Sequence, residues 1–156
     1  MVQVLVGDIL ASSAQTLTNP VNCAGVMGKG LALALRRGFP EMYEDDTIRC
    51  REGSVRSGHP SLFRRPKLPW ILHFPTTGNW RARSPIICIV EGLGYLRMHY
   101  REWKIASLAI PALGCGEGKL SWSQLGPTLY QQLLALDIPL EPYAPQDTGE
   151  AERSEQ

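Results

Sequence analysis

Gln15-Thr16-Leu17-Thr18-Asn19, then Pro20-Val21-Asn22, then Gly25-Val26-Met27-Gly28-Lys29-Gly30, runs straight into Leu31-Ala32-Leu33-Ala34-Leu35-Arg36-Arg37 and halts at Gly38. Gln15–Asn19 reads as a short strand closed by Pro20. Leu31–Arg37 is Leu/Ala-rich and reads as a helix stopped by glycine. A strand that feeds a helix through a glycine-rich turn is the unit of a layered α/β fold.

Outward from this stretch the alternation continues. Val2 to Val6 is β-branched and reads as a buried strand ended by Gly7-Asp8. Pro40 opens a helix over Glu41–Arg51, where proline suits the first turn and acidic residues suit the positive end of the dipole. Residues 53–67 read as loop with one short strand, Trp70–Phe74 as a strand, and Thr76–Arg83 as loop. Ser84 caps a helix that has Pro85 at its first position and runs to about Trp103. Leu108–Pro111 is a buried strand, and Gly114–Gly118 a second glycine-rich loop. Ser121 caps a helix reaching Leu136. Pro139–Tyr143 is a last strand, placed at a sheet edge because it holds two prolines. The expectation is one α/β domain over residues 1–143, with a mostly parallel sheet between helices. Residues 144–156, polar and without periodicity, read as a disordered tail or linker.

Composition narrows the function. The 16 Lys+Arg nearly cancel 15 Asp+Glu, so a basic nucleic-acid coat over the whole surface is excluded, while a local patch is not. No apolar run approaches the ~20 residues of a membrane helix, and no basic region precedes the apolar N-terminus, which argues against a signal peptide. Cys23, Cys50, Cys88 and Cys115 are far apart and form no CxxC pair, as expected of reduced thiols in a cytosolic protein. His59, His73 and His99 have no zinc-ligand spacing with them, so no metal site is expected.

Three features each follow a predicted strand: Gly7-Asp8, Asn19–Gly30 and Leu113–Gly118. In an open α/β sheet ligands sit beyond the carboxyl ends of strands, so these should converge on one cleft. Gly28-Lys29-Gly30 enters a helix, where backbone N–H groups and the helix dipole favour phosphate. Gly114-Cys115-Gly116-Glu117-Gly118 can do the same from the other side, and two such loops suit a diphosphate. Neither is a P-loop, since Gly30 follows Lys29 and Leu120 follows Lys119, and the second loop reads GxGxG rather than GxGxxG. Asp8 can accept from an exocyclic amine or a ribose hydroxyl, or cap a turn. Asn19 and Asn22 flank a proline turn and either hold it or face a ligand. Arg81 and Arg83, with Arg64, Arg65 and Lys67, could hold a DNA backbone while Trp80 stacks on a base; the alternative is a solvated basic loop.

Gly7-Asp8-Ile9, Asn19-Pro20-Val21-Asn22, Gly25–Gly30, Phe39-Pro40-Glu41-Met42-Tyr43 and Pro111-Ala112-Leu113-Gly114-Cys115-Gly116 together resemble the macrodomain family, in order and spacing, over residues 1–143. Within that family the Gly25–Gly30 loop and the run from His73 to Arg81 look most like the DarG branch, antitoxins that remove ADP-ribose from DNA thymidine. The resemblance implies a three-layer α/β/α fold with a mixed, mostly parallel sheet and ADP-ribose as ligand, with no cofactor. It puts Asp8 on the adenine amine and the Ile9 backbone on the ring, and Asn22 near the distal ribose. Gly25, Val26, Met27, Gly28, Lys29 and Gly30 would wrap that ribose and the diphosphate. Leu113, Gly114, Cys115, Gly116, Glu117 and Gly118 would close the other side.

The chain departs from the branch at two points: Thr77 stands where it has a catalytic Lys, and Gly118 where the related human glutamate-ester hydrolase has an acidic residue. Thr77 carries no amine, which leaves Lys29, or water placed by Asn22 or Glu117, to serve the reaction. The expected activity is de-ADP-ribosylation of thymidine-linked DNA in a DarT–DarG system. The other readings are a binding module without turnover and an ADP-ribose 1″-phosphate phosphatase. A cognate toxin would engage a further domain, for which residues 144–156 would begin the linker.

Overall fold

In a computed structural model describing residues 2–22, 27–28, 30–77, 85–115 and 120–145, the strands are Leu5–Val6 (β1), Thr16–Asn22 (β2), Ser61–Phe63 (β3), Trp70–Thr77 (β4), Leu108–Ile110 (β5) and Leu140–Ala144 (β6). The helices are Gly30–Gly38 (α1), Pro40–Arg51 (α2), Pro85–His99 (α3) and Trp122–Leu133 (α4). The sheet order is β1-β6-β5-β2-β4-β3. Only the β3–β4 pair is antiparallel among these, so the sheet is mixed and mostly parallel, as expected.

Side chains alternate across the strands and so divide between two layers of helix. Leu17, Val21, Ile71 and Ala109 pack with Leu35 of α1 and Met42 of α2. Leu72, Phe74, Leu108, Ile110 and Leu140 face the other way, onto Ile89, Leu93 and Leu96 of α3 and Leu125, Leu129 and Leu133 of α4. The result is a three-layer α/β/α sandwich. Close approach of α3 to the sheet depends on Gly92, where an added Cβ would come within 2.5 Å of the Phe74 ring. Ser121 caps α4 as expected: its Oγ accepts the Gln124 N–H while the Gln124 side chain accepts the Ser121 N–H.

Several boundaries differ from expectation. β2 does not end at Pro20 but runs to Asn22, and β6 is not an edge strand but lies between β1 and β5. One reason covers both. Pro20 is paired only to β4, since the β5 pairing of β2 covers Thr16 and Leu17. Pro142 is paired only to β5, since β1 pairs Tyr143 and Ala144. A proline with a ladder neighbour on one side need not break a strand. α3 ends at His99 rather than Trp103, and the following turn closes in a Schellman motif. There Ile105 N–H bonds Tyr100 O, Lys104 N–H bonds Arg101 O, and Lys104 takes the left-handed conformation (φ 61°). α4 ends at Leu133 rather than Leu136, in tight turns in which Leu136 N–H bonds Leu133 O. β1 is shorter than Val2–Val6, joined at Val2 by a single bridge to Leu140. β4 continues past Phe74 to Thr77. Ala144 belongs to the domain and not to a tail, because it is buried and pairs with Val6; residues 146–156 lie outside the described residues.

Candidate functional site

A cleft of about 370 Å³ opens where the carboxyl ends of β1, β6 and β5 meet the start of α1. Gly7, Asp8, Ile9 and Leu10 form one wall, Gly30, Leu31 and Ala34 the second, and Pro111, Ala112, Tyr143, Ala144 and Pro145 the rest. This is the position that the topology of an open α/β sheet assigns to a ligand.

Each wall follows from local sequence. Gly7, with φ 139°, turns the chain out of β1, and Asp8 starts a short 3-10 turn over Ile9–Ala11. Asp8 Oδ1 accepts the Leu10 N–H at 2.9 Å. The carboxylate therefore both caps this turn and stands at the cleft, and its second oxygen is available to a donor. α1 begins at Gly30, whose φ of 55° suits glycine, and its first turn holds no acidic residue. Its N-terminal amides thus present an uncompensated positive end to the cleft. The cleft is polarised: a carboxylate at the β1 exit, amide donors at the start of α1. One end suits an amine or hydroxyl, the other an anion.

A buried polar cluster lies in the layer shared by β2, β4 and α2. Asn19 is fully buried, and its Nδ2 lies 3.7 Å from Met27 Sδ, 3.6 Å from Met42 Sδ and 3.5 Å from His73 Nδ1. Burial, with a smaller effect of Arg49, lowers the His73 pKa to about 4, so the imidazole is neutral at physiological pH. Burial, reinforced by Asp45, raises the Asp46 pKa to about 6, against opposing effects of Cys50 and Arg49. Burial also raises the Tyr143 pKa.

Of the residues expected at the ligand, Asp8, Ile9 and Gly30 line the cleft. Asn19, Met27 and Leu113 are not part of this lining and are buried, each at most 1% exposed. Gly114 takes φ 78°, and the Leu120 N–H returns to its carbonyl at 2.8 Å, closing the second loop at its base; Cys115 is half-buried there. Asn22 and Thr77 are brought together, since Asn22 pairs with Thr77 across β2–β4 after a register shift that skips Thr76. Gly28 is described and exposed. Gly25, Val26, Lys29, Trp80, Arg81, Arg83, Gly116, Glu117 and Gly118 lie outside the described residues.

Arg64 and Arg65 do not flank the cleft, which corrects the basic track suggested by sequence. β3 runs antiparallel to β4, so its exit lies at the amino end of β4, opposite the cleft. Arg64 there donates to Trp103 O at 2.8 Å, and Arg65 Nε to Glu41 Oε1 at 2.9 Å. Sequence reasoning missed Tyr143, Pro145, Pro111 and Ala112 as lining. The available signal was that β5 and β6 also end on this side.

The Macro domain family model matches residues 18–127. The chain belongs to the macro domain family. Among macro domain relatives, it is 39% identical to the DNA ADP-ribosyl transferase–DNA ADP-ribosyl glycohydrolase fusion protein of Thermosipho africanus, over 89% of this chain and 40% of that protein. It superimposes on Thermosipho africanus DarTG in complex with ADP-ribose (TM-score 0.88, 37% identity, 95% of this chain, 42% of the other). It also superimposes on the macrodomain of Mycobacterium tuberculosis DarG (TM-score 0.87, 38% identity, 93% of this chain, 98% of the other). The chain thus spans about 40% of the full-length relative and nearly all of the isolated domain. Among the described residues no helix is long and apolar enough to cross a membrane.

Proposed function

We propose that this macro domain binds ADP-ribose in the cleft and removes it from thymidine-linked DNA in the cytosol, as the antitoxin activity of a DarT–DarG system. The observation that carries the reading is the polarised cleft, with Asp8 at one end and the start of α1 at the other. An adenosine diphosphate ribose has the matching order of groups: an amine-bearing base, then a diphosphate. The likeness to an ADP-ribose-bound DarTG supports the same ligand.

Hydrolysis at C1″ breaks the bond between the distal ribose and the base. Water supplies the oxygen that ends on C1″. The bonding pair and one proton go to the base, and no redox partner is called for. Asn22, beside the Thr77 strand end, is suited to place the distal ribose or that water, with Lys29 neutralising the diphosphate. The cognate toxin would be met through a part of the protein beyond the macro domain.

Thr77 favours a second reading, a binding module without turnover, because a hydroxyl cannot replace the amine of the DarG branch. Incubation with a thymidine-ADP-ribosylated single-stranded oligonucleotide, beside Thr77→Lys, separates the two. Release of free ADP-ribose by the unaltered protein is expected. Binding without release, with turnover only in Thr77→Lys, establishes the second reading. Phosphate release from ADP-ribose 1″-phosphate alone would replace both.

A further inference from the structure

Glu141 is a carboxylate on an interior strand, half-buried and in register with Ala109 of β5. A charge in that place calls for partners, and it has two that converge on one oxygen. Ser12 Oγ donates to Glu141 Oε1 at 2.7 Å, and Tyr143 Oη donates to the same Oε1 at 3.5 Å. Ser12 Oγ also accepts the Ala14 N–H at 3.0 Å, which fixes its rotamer.

The two donors come from neighbouring segments of the cleft lining, since β1, which leads into the Asp8 turn, pairs with β6 at Leu5 and Tyr143. Ser12 ends the turn that carries Asp8, Ile9 and Leu10, and the backbone bonds of that turn are local, Ala11 N–H to Asp8 O and Ser12 N–H to Ile9 O. Tyr143 lines the cleft from β6. Tyr143 and Glu141 are two residues apart on one strand, so they share a face. The carboxylate therefore holds the Asp8 turn at a set distance from the Tyr143 wall.

We propose that Glu141 is a positioning residue of the nucleotide cleft, coupling the Asp8 turn to Tyr143 through Ser12 Oγ and Tyr143 Oη and so fixing where the turn beyond the β1–β6 ladder stands beside Tyr143. The inference rests on the proposed ADP-ribose reading. It assigns Glu141 no direct contact with ligand. Its effect is on binding: KM rises while kcat is kept, because the walls it joins lie at the base end.

The test is calorimetric titration of ADP-ribose into the wild type, Ser12→Ala, Tyr143→Phe, the double variant, Glu141→Ala and Glu141→Gln, each first shown to be folded by its melting curve. Each single Ser12 or Tyr143 variant should weaken binding by roughly 3–10-fold, the range of one lost hydrogen bond. The double variant should be no weaker than the worse single, because both bonds act through one carboxylate. Glu141→Ala should match the double variant, and Glu141→Gln, which keeps an acceptor oxygen, should recover most of the affinity. Multiplying effects in the double variant, or unchanged affinity in Glu141→Ala, overturns the coupling while leaving the ADP-ribose reading intact. A wild type that does not bind ADP-ribose overturns both.

Discussion

The two faces of the sheet are built differently. Toward α3 and α4 lies a large apolar cluster, from Leu72 and Phe74 through Leu96, Leu125 and Leu140, whose buried members include no carboxylate or imidazole. Toward α1 and α2 the described cluster is smaller, and Asn19, Asp46 and His73 are buried with it. Ile9, Leu31 and Tyr143 of the cleft pack with this second face, while Ala112 and Ala144 join the lining from the apolar cluster. Stability is concentrated on one side of the sheet and function on the other, as expected where a site needs buried polar groups that cost stability.

The largest effect that can break this comparison is a cavity in the apolar face. Leu125 is fully buried in α4 and is not among the residues that line the cleft. Leu125→Ala should lower unfolding free energy by about 3 kcal/mol in denaturant titration, within the 2–5 kcal/mol typical of such truncations. ADP-ribose affinity below the unfolding transition should stay within about twofold of the wild type, as for distant independent sites. A loss of affinity comparable to that of a cleft variant would mean that the faces are energetically one.

The second effect sharpens the comparison through pH. His73 titrates at about 4 in the folded protein against 6.5 as a free group, so its contribution to stability rises with pH from about 4 to 6.5. Asp46 titrates at about 6 against 3.8, so its contribution falls with pH over nearly the same interval. One proton is held by the unfolded chain and one by the folded chain, and the two slopes nearly cancel between pH 4 and 6. Relative to the wild type, Asp46→Asn should gain on the order of 2 kcal/mol between pH 4.5 and 6.5, and His73→Gln should lose a similar amount. Urea midpoints at three pH values in that range decide it. Parallel profiles for all three proteins would remove the buried Asp46 and His73 from the account of this face.

How much of this was legible in the sequence follows the same division. The strand–turn–helix of Gln15–Gly38 and the Ser121 cap are local signals, and they appear with their expected boundaries within a few residues. Asp8 and Gly30 were legible because a residue after a strand and a glycine before a helix declare themselves locally. Pro142 hid the interior place of β6, since which side of a strand lacks a partner depends on neighbours far along the chain. With β6 misplaced, Tyr143 and Pro145 could not be assigned to the cleft. Asn19 carries the same side chain as a ligand-facing Asn would. Only the register with His73 and the approach of Met27 and Met42 show it turned into the interior.

The smallest effects make the cleanest contrast, because the same device occurs on both faces. Ser121 caps α4 on the apolar face, and Asp8 caps the 3-10 turn at the cleft. Ser121→Ala removes the bond to the Gln124 N–H and should cost about 1 kcal/mol of stability, the usual worth of an N-cap, with ADP-ribose affinity unchanged. Asp8→Ala opens an exposed three-residue turn and should cost a few tenths of a kcal/mol at most, since an exposed donor is rehydrated. Its ADP-ribose Kd should nonetheless rise at least about tenfold, because a charged acceptor facing an amine is lost. Chemical melts and titrations on both variants give four numbers, and the expected pattern is a crossed one. If Asp8→Ala loses stability and keeps affinity, Asp8 is a cap and nothing more, and the base end of the cleft must be sought elsewhere along β1 and β6.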